Sequence, residues 1–211
     1  MISDTVRFLK SKKKEVIFDA EHFFDGFYAD SGYAIECLRA AVDAGADLLC
    51  LCDTNGGTIP SRVQQAIRTI KKEITTPLGI HCHNDGDLAV ANSIMAIEEG
   101  CVQVQGTING IGERCGNTNL VSVIPLLQLK LGIKMFSPAR LKTLTDMSRY
   151  VSEICNMPID DTEPFVGKSA FAHKAGVHVN AMMKNPLTYE HISPSSVGNQ
   201  TRFLVSELSG Q

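Results

Sequence analysis

Four short apolar segments, each followed by a stretch of helical periodicity, constrain the fold of this 211-residue chain most strongly. EVIFDA starts at residue 15, DLLCLCD at 47, PLGIHCH at 77 and CVQVQGT at 101, so the starts lie 32, 30 and 24 residues apart. That spacing suits right-handed strand–helix units joined in a parallel sheet, and near-continuous apolarity belongs to strands covered on both faces. The stretches between predict helices near 31–45 (Ile35, Leu38, Ala41, Val42), over 60–73 opened by Pro60, near 87–99 (Leu88, Ala91, Ile94, Met95, Ile97) and near 118–131. Polar residues collect at the strand ends: Glu21, Asp53 with Thr54, His81 with His83, and Thr107 with its loop. Barrels and open sheets both place sites there, so this does not choose between them.

After residue 135 the pattern changes. Ser137-Pro138 reads as a cap and first-turn proline opening a helix to about Cys155. A proline-containing link and a helical segment, AFAHKAGVHVNAMM, follow, and the end is rich in turns. The expected division is 1–135 and 136–211, the second part a small, mainly helical subdomain.

A hydrophobic share of 44%, a charged share of 20% and a net charge of −3 describe an ordinary globular protein and exclude a nucleic-acid or anionic-membrane surface. The one basic cluster, Lys10 with Lys12, Lys13 and Lys14, complements the carbonyl end of an opening helix. Seven dispersed cysteines form no paired framework and the start is no signal peptide, so a cytoplasmic location is expected.

Side chains alternate along a strand, which turns His81 and His83 to one face and Cys82 to the other. Two imidazoles on one face, followed by Asn84 and Asp85, form half of a divalent-metal site; nitrogen and oxygen donors suit Mn²⁺, Zn²⁺, Co²⁺ or Fe²⁺ better than Mg²⁺. Asn117 is the best local candidate for a further ligand, in competition with a role as the cap of the next helix. In the loop GTINGIGERCGN, Glu113 and Arg114 could simply pair, and no phosphate-binding glycine pattern is present. From spacing alone Glu21 is an inward candidate, His22 a structural residue, and His173, His178 and Tyr189 are ordinary amphipathic positions.

HCHNDGDLAVANS and GTINGIGERCGNTNL, with FDAEHFFDG, CDTNGGTIP and FVGKSAFAHKAGVHVNAMMKNPLTYEHISPSSVG, resemble the α-isopropylmalate, homocitrate and citramalate synthases over essentially the whole chain. DAEHFFDGF, HCHNDGDLAVAN and LTYEHISPSSVGN are most similar to the citramalate synthase branch. The resemblance implies the C-terminal half of a TIM barrel, strands five to eight, in 1–135, and a truncated linker subdomain in 136–211. It implies that His81, His83 and Asn117 bind a divalent metal (Mn²⁺, Mg²⁺ or Zn²⁺) and that Glu21 is an active-site glutamate. The resemblance further implies that Thr54 lines the keto-acid pocket, and Thr107 and Asn109 join it as substrate-binding candidates. It implies that His178 and Tyr189 assist proton transfer, typically in the partner subunit's site, and so implies a homodimer.

The implied reaction is a Claisen condensation of acetyl-CoA, the co-substrate, with pyruvate, giving citramalate for isoleucine biosynthesis. Isopropylmalate or homocitrate formation is the nearest alternative, and a non-catalytic half-barrel module is a third. Acyl-CoA lyases and biotin-dependent carboxyltransferases share the His-x-His strand, but TYEHISP and GVHVNA argue against them. The family's first four strands, with an Arg-Asp motif, have no counterpart here, so the expectation is a fragment that is inactive alone and binds metal weakly. Its inner sheet face is expected to be apolar and to drive self-association.

Overall fold

The computed structural model describes residues 1–174 and 176–204, and its contacts divide into two compact units, 1–119 and 120–211. The first unit opens with α1 (Ile2–Ser11) and continues β1 (Ile17–Ala20), α2 (Phe23–Ala29), α3 (Ser31–Asp43), β2 (Leu48–Asp53), α4 (Pro60–Ile70), β3 (Leu78–Cys82), α5 (Ala89–Glu98) and β4 (Gln103–Gln105). The four expected strands all form, β1 and β2 trimmed at their starts and β3 and β4 at both ends, and α2 is an addition that the sequence pattern did not show. The strands lie in the order β1-β2-β3-β4, all parallel.

Sequential order separates a barrel segment from an open doubly wound sheet, whose strand order reverses at a switch point. Register completes the argument. Ala20, Leu51, Ile80 and Val104 are aligned neighbours, as are Phe18, Leu49 and Leu78. These side chains meet Leu38 of α3, Val63 and Ile67 of α4 and Ala96 of α5 in one apolar core. The helices therefore cover a single face, and the unit is a partial α/β barrel of four strands.

The opposite face carries two aligned rows, Asp19-Cys50-Gly79-Gln103 and Cys52-His81-Gln105. It is mixed, with Ile17 and Leu48 paired at the strand starts and the buried Cys50 and Cys52 set among Asp19, His81, Gln103 and Gln105. The expectation of an apolar inner face is thus corrected, because alternation sends the apolar members of each strand to the helices. Gln105 Nε2 on β4 donates to Asp19 Oδ1 on β1 at 2.9 Å. Strands are spaced about 4.8 Å apart. A bond between the two outer strands therefore requires the sheet to curl, concave on this face.

The α5 stripe also differs from expectation. Its buried residues are Ala89, Asn92, Ser93 and Ala96, whereas Ala91 is exposed and Ile94, Met95 and Ile97 are half-buried. Small and polar residues face inward because the loops need partners there. Asn92 Nδ2 donates to the Thr58 carbonyl at 2.7 Å, and Ser93 Oγ shares a 2.9 Å bond with Thr118 Oγ1.

In the second unit, α6 (Leu120–Pro125) runs into a π-helical turn, Leu126–Lys130, and is followed by α7 (Pro138–Leu141), α8 (Leu144–Cys155), β5 (Ala172–His173), α9 (Gly176–Lys184) and β6 (Arg202–Phe203). The division falls at 119/120 rather than at the expected 135/136. Gln128 exchanges two hydrogen bonds with the Phe136 backbone, and Lys130 Nζ donates to the His191 carbonyl, so 126–130 is tied to later residues. The expected continuous helix from 137 to 155 breaks at Lys142–Thr143, where Gly198 packs against the Lys142 carbonyl. The expected subdomain's last residues, 205–211, lie outside the described residues. Among the described residues no helix is long and apolar enough to cross a membrane.

Asp53, 1% exposed, ends β2 and holds the next loop: Thr58 donates to it through Oγ1 at 2.7 Å and through its N–H at 3.2 Å. Asp53→Ala leaves both donors without an acceptor and is expected to cost about 1–3 kcal/mol in a urea unfolding titration.

Candidate functional site

The loops that follow the strands are locked together by one guanidinium. Arg114 Nε and Nη2 donate to Asp85 Oδ1 and Oδ2 at 2.8 and 3.0 Å, and Nη2 also donates to the Thr54 carbonyl at 2.6 Å. The loops after β2, β3 and β4 thus share one forked cation. Its hydrogen bonds hold the Asp85 carboxyl below its ordinary value. The possible Glu113–Arg114 pair is the weaker one, at 3.7 Å with Glu113 largely exposed. Gly56 has φ +67°, and a Cβ there would lie 2.9 Å from the His83 carbonyl carbon. Glycine lets the β2 loop lie flush against the end of β3.

His81 and His83 face the same way as expected, with ring centroids 5.2 Å apart, while Cys82 is buried on the helix side. His81 Nδ1 is 3.1 Å from Gln105 Oε1. His83, one residue beyond β3, forms an isolated antiparallel bridge with Asn117. Since α6 begins only at Leu120, Asn117 does not occupy its cap position, which removes the competing role.

Two buried polar atoms here have no hydrogen-bond partner: His83 Nδ1 and Asn117 Oδ1. Unsatisfied buried groups cost about 1–3 kcal/mol each and call for a partner the chain does not provide. Ring nitrogen and amide oxygen are ordinary donors to a divalent cation, so the residues fit the expected metal. Among the described residues no cluster of three His, Cys, Asp or Glu side chains could hold a metal, which leaves two imidazoles and an amide as the local donor set.

The remaining candidates divide between the units. Glu21 lies exposed in the turn after β1. Thr54 Oγ1 accepts from the His22 N–H at 2.8 Å, and Thr107 Oγ1 donates to the Ile111 carbonyl at 2.6 Å, so both hydroxyls also brace loops. Asn109 has φ +63° within the 3-10 turn Ile108–Gly110. His22 is exposed, its ring 3.4 Å from Asp25. In the second unit, His178 of α9 and Tyr189 come together with ring centroids 4.2 Å apart. His173 lies 3.7 Å from the buried Glu190, which also accepts from Thr201 Oγ1 at 2.6 Å.

The sequence reading missed Asp19, Gln105 and the bridging role of Asp85. Alternation from His81 across a parallel register would have placed Gln105 beside it. No sequence signal pairs Gln105 with Asp19.

The HMGL-like family profile matches residues 1–151, and the homocitrate synthase post-HMGL domain-like profile matches residues 165–211. The chain is 55% identical to an (R)-citramalate synthase of Geobacter sulfurreducens over 211 residues, 100% of this chain and 40% of that protein. It is 38% identical to a 2-isopropylmalate synthase of Methanocaldococcus jannaschii over 98% of this chain and 39% of that protein. It therefore spans about 40% of the length of these curated relatives. Among solved structures, the HMG-CoA lyase of Bacillus subtilis superposes with a TM-score of 0.63 at 18% identity, over 75% of this chain and 55% of that one, a likeness of fold.

Two measurements test the site. Calorimetry with Mn²⁺ or Zn²⁺ is expected to show weak binding that His81→Ala or His83→Ala abolishes; unchanged binding in both variants would refute the ligand assignment. Arg114→Ala is expected to speed amide exchange at Asn84 and Asn117, whose N–H groups donate to the Gly116 and Gly110 carbonyls. Because the Asp85 carboxyl is held low, its pairing with Arg114 stays intact above about pH 4 and is lost only as pH falls through the lowered value.

Proposed function

The chain belongs to the HMGL-like family, and on that premise we propose that it carries the metal-binding half of the active site of a citramalate-synthase-type enzyme, one that joins acetyl-CoA to pyruvate. The observation that carries this reading is the pair of orphaned buried atoms, His83 Nδ1 and Asn117 Oδ1, on adjoining segments beside His81 at the strand ends. Identity to citramalate synthases along the whole chain supports the substrate pair.

In this reading His81, His83 and Asn117 hold a divalent ion, Mn²⁺, Mg²⁺ or Zn²⁺. When bound, such an ion polarises the 2-oxo acid's carbonyl as a Lewis acid. Thr54, Thr107 and Asn109 line the position of the 2-oxo acid. Glu21, His178 and Tyr189 share the proton transfers: removal of a proton from the acetyl methyl group, and delivery of one to the carbonyl oxygen as the carbon–carbon bond forms. Water then cleaves the thioester and releases CoA. His178 and Tyr189, whose rings lie against each other, and the carboxylate of Glu21 are the groups that carry these protons. A homodimer in which these second-unit residues serve the partner's site, and a cytoplasmic location, complete the proposal; all seven cysteines are free.

The test is CoA-thiol release from acetyl-CoA with Mn²⁺ and pyruvate, 2-oxoisovalerate or 2-oxoglutarate. It is run on the chain alone and on the chain mixed with the separately made first part of the Geobacter sulfurreducens relative. With its donor set lacking a carboxylate, the chain alone is expected to give no turnover. The mixture is expected to turn over pyruvate, and His81→Ala to abolish that activity. Faster turnover of 2-oxoisovalerate than of pyruvate would overturn the substrate assignment.

A further inference from the structure

The hydrogen-bond chain Asp19–Gln105–His81 has a direction, and its first member sets it. A carboxylate only accepts. Asp19 Oδ1 therefore takes its 2.9 Å bond from the Gln105 amino group, Nε2. That contact turns the amide so that Oε1 faces His81 Nδ1 at 3.1 Å. An amide oxygen likewise only accepts, so Nδ1 must carry the ring proton, and Nε2 of the neutral imidazole keeps its lone pair.

We propose that Asp19 and Gln105 are positioning residues that hold His81 in the Nδ1–H tautomer and so make Nε2 its metal-binding nitrogen. The proposal rests on the reading of His81 as a ligand and deepens it.

The arrangement gives Asp19 a role at a distance. Gln105 alone could present either end of its amide to the ring. With its amino group turned to Nδ1, the proton would sit on Nε2 and block that nitrogen as a donor to metal. The acceptor-only group on β1 removes that choice. Register supplies the geometry: His81 and Gln105 are paired neighbours on β3 and β4, and the curl of the sheet brings Asp19 within reach. His83 has no comparable guide, since its Nδ1 is without a partner. The two imidazoles of the motif are thus held differently, one oriented from behind and one left to its ligand. Outer partners of this kind are worth about 10–100-fold in metal affinity.

The experiment uses the ¹⁵N-labelled 211-residue chain. Long-range ¹H–¹⁵N spectra report each histidine tautomer, and the signals missing from His81→Ala identify His81. The native protein is expected to show the Nδ1–H form. Asp19→Asn keeps the size and a hydrogen bond but can donate as well as accept, so both tautomers should be populated. Gln105→Leu should lose the preference altogether. Asp19→Glu keeps an acceptor-only group and should retain the native spectrum, which a purely steric role for Asp19 would not predict.

Calorimetry with Mn²⁺ is expected to follow the spectra: affinity about 10-fold or more lower in Asp19→Asn and Gln105→Leu, and nearly native in Asp19→Glu. An unchanged tautomer in both Asp19→Asn and Gln105→Leu would overturn the proposal, as would a native His81 already protonated on Nε2. If the tautomer shifts as expected but the native chain binds no divalent ion, the ligand reading fails and the tautomer control stands.

Discussion

Parallel, in-register pairing of four strands is the constraint on which the rest of this unit depends. Once Leu51 lies beside Ile80 and Cys52 beside His81, every second residue of each strand is committed to a common face. Leu51, Ile80 and their aligned neighbours meet the helices, and Asp19, His81, Gln103 and Gln105 lie on the concave side. A one-residue slip of β3 would exchange His81 for Cys82 and place an imidazole against Val63 and Ala96. Burial also pushes the Cys82 thiol up, so it is a packing residue in its present place. The chemistry of the strand ends is thus secured by the core behind them.

The strand ends are in turn tied sideways. Asp53 steadies the loop after β2, Asn92 and Ser93 hold loop atoms from the α5 side, and Arg114 binds Asp85 together with the Thr54 carbonyl. Backbone contacts close the arrangement: His83 N–H donates to the Asp53 carbonyl, Thr118 N–H to that of Cys82 and Thr107 N–H to that of Thr118. Asn117 reaches His83 through this ladder, although the two are far apart in sequence. Loops held from several directions can keep two buried polar atoms, His83 Nδ1 and Asn117 Oδ1, without a partner.

Much of this was legible in the residues. Strand–helix spacing showed the parallel sheet, and the His-x-His strand end with its glycine-rich loop marked the candidate site before any coordinates. Other features were not legible, for physical reasons. Helix periodicity assumes that the inward stripe is apolar, whereas α5 buries Asn92 and Ser93 because loop atoms need partners. The break after Leu141 lies where Gly198, from a distant part of the chain, packs against the Lys142 carbonyl. Whether the sheet was a barrel segment or an open array required strand order. Asp19 escaped notice because its partner is chosen by curvature, which no local pattern records.

The bond from Gln105 to Asp19 spans 86 residues of chain. Closing so long a loop carries an entropic penalty, which the intervening strand pairings reduce by holding β1 and β4 in one curled sheet. Without β4 in register the His-x-His motif would still be present on β3, but His81 would lack the Gln105 oxygen that faces its Nδ1. A nascent or misregistered sheet would carry the same two imidazoles without the same preference. On the role proposed for Asp19 and Gln105, the tautomer of His81 is then a property of the completed sheet and not of the His-x-His motif alone.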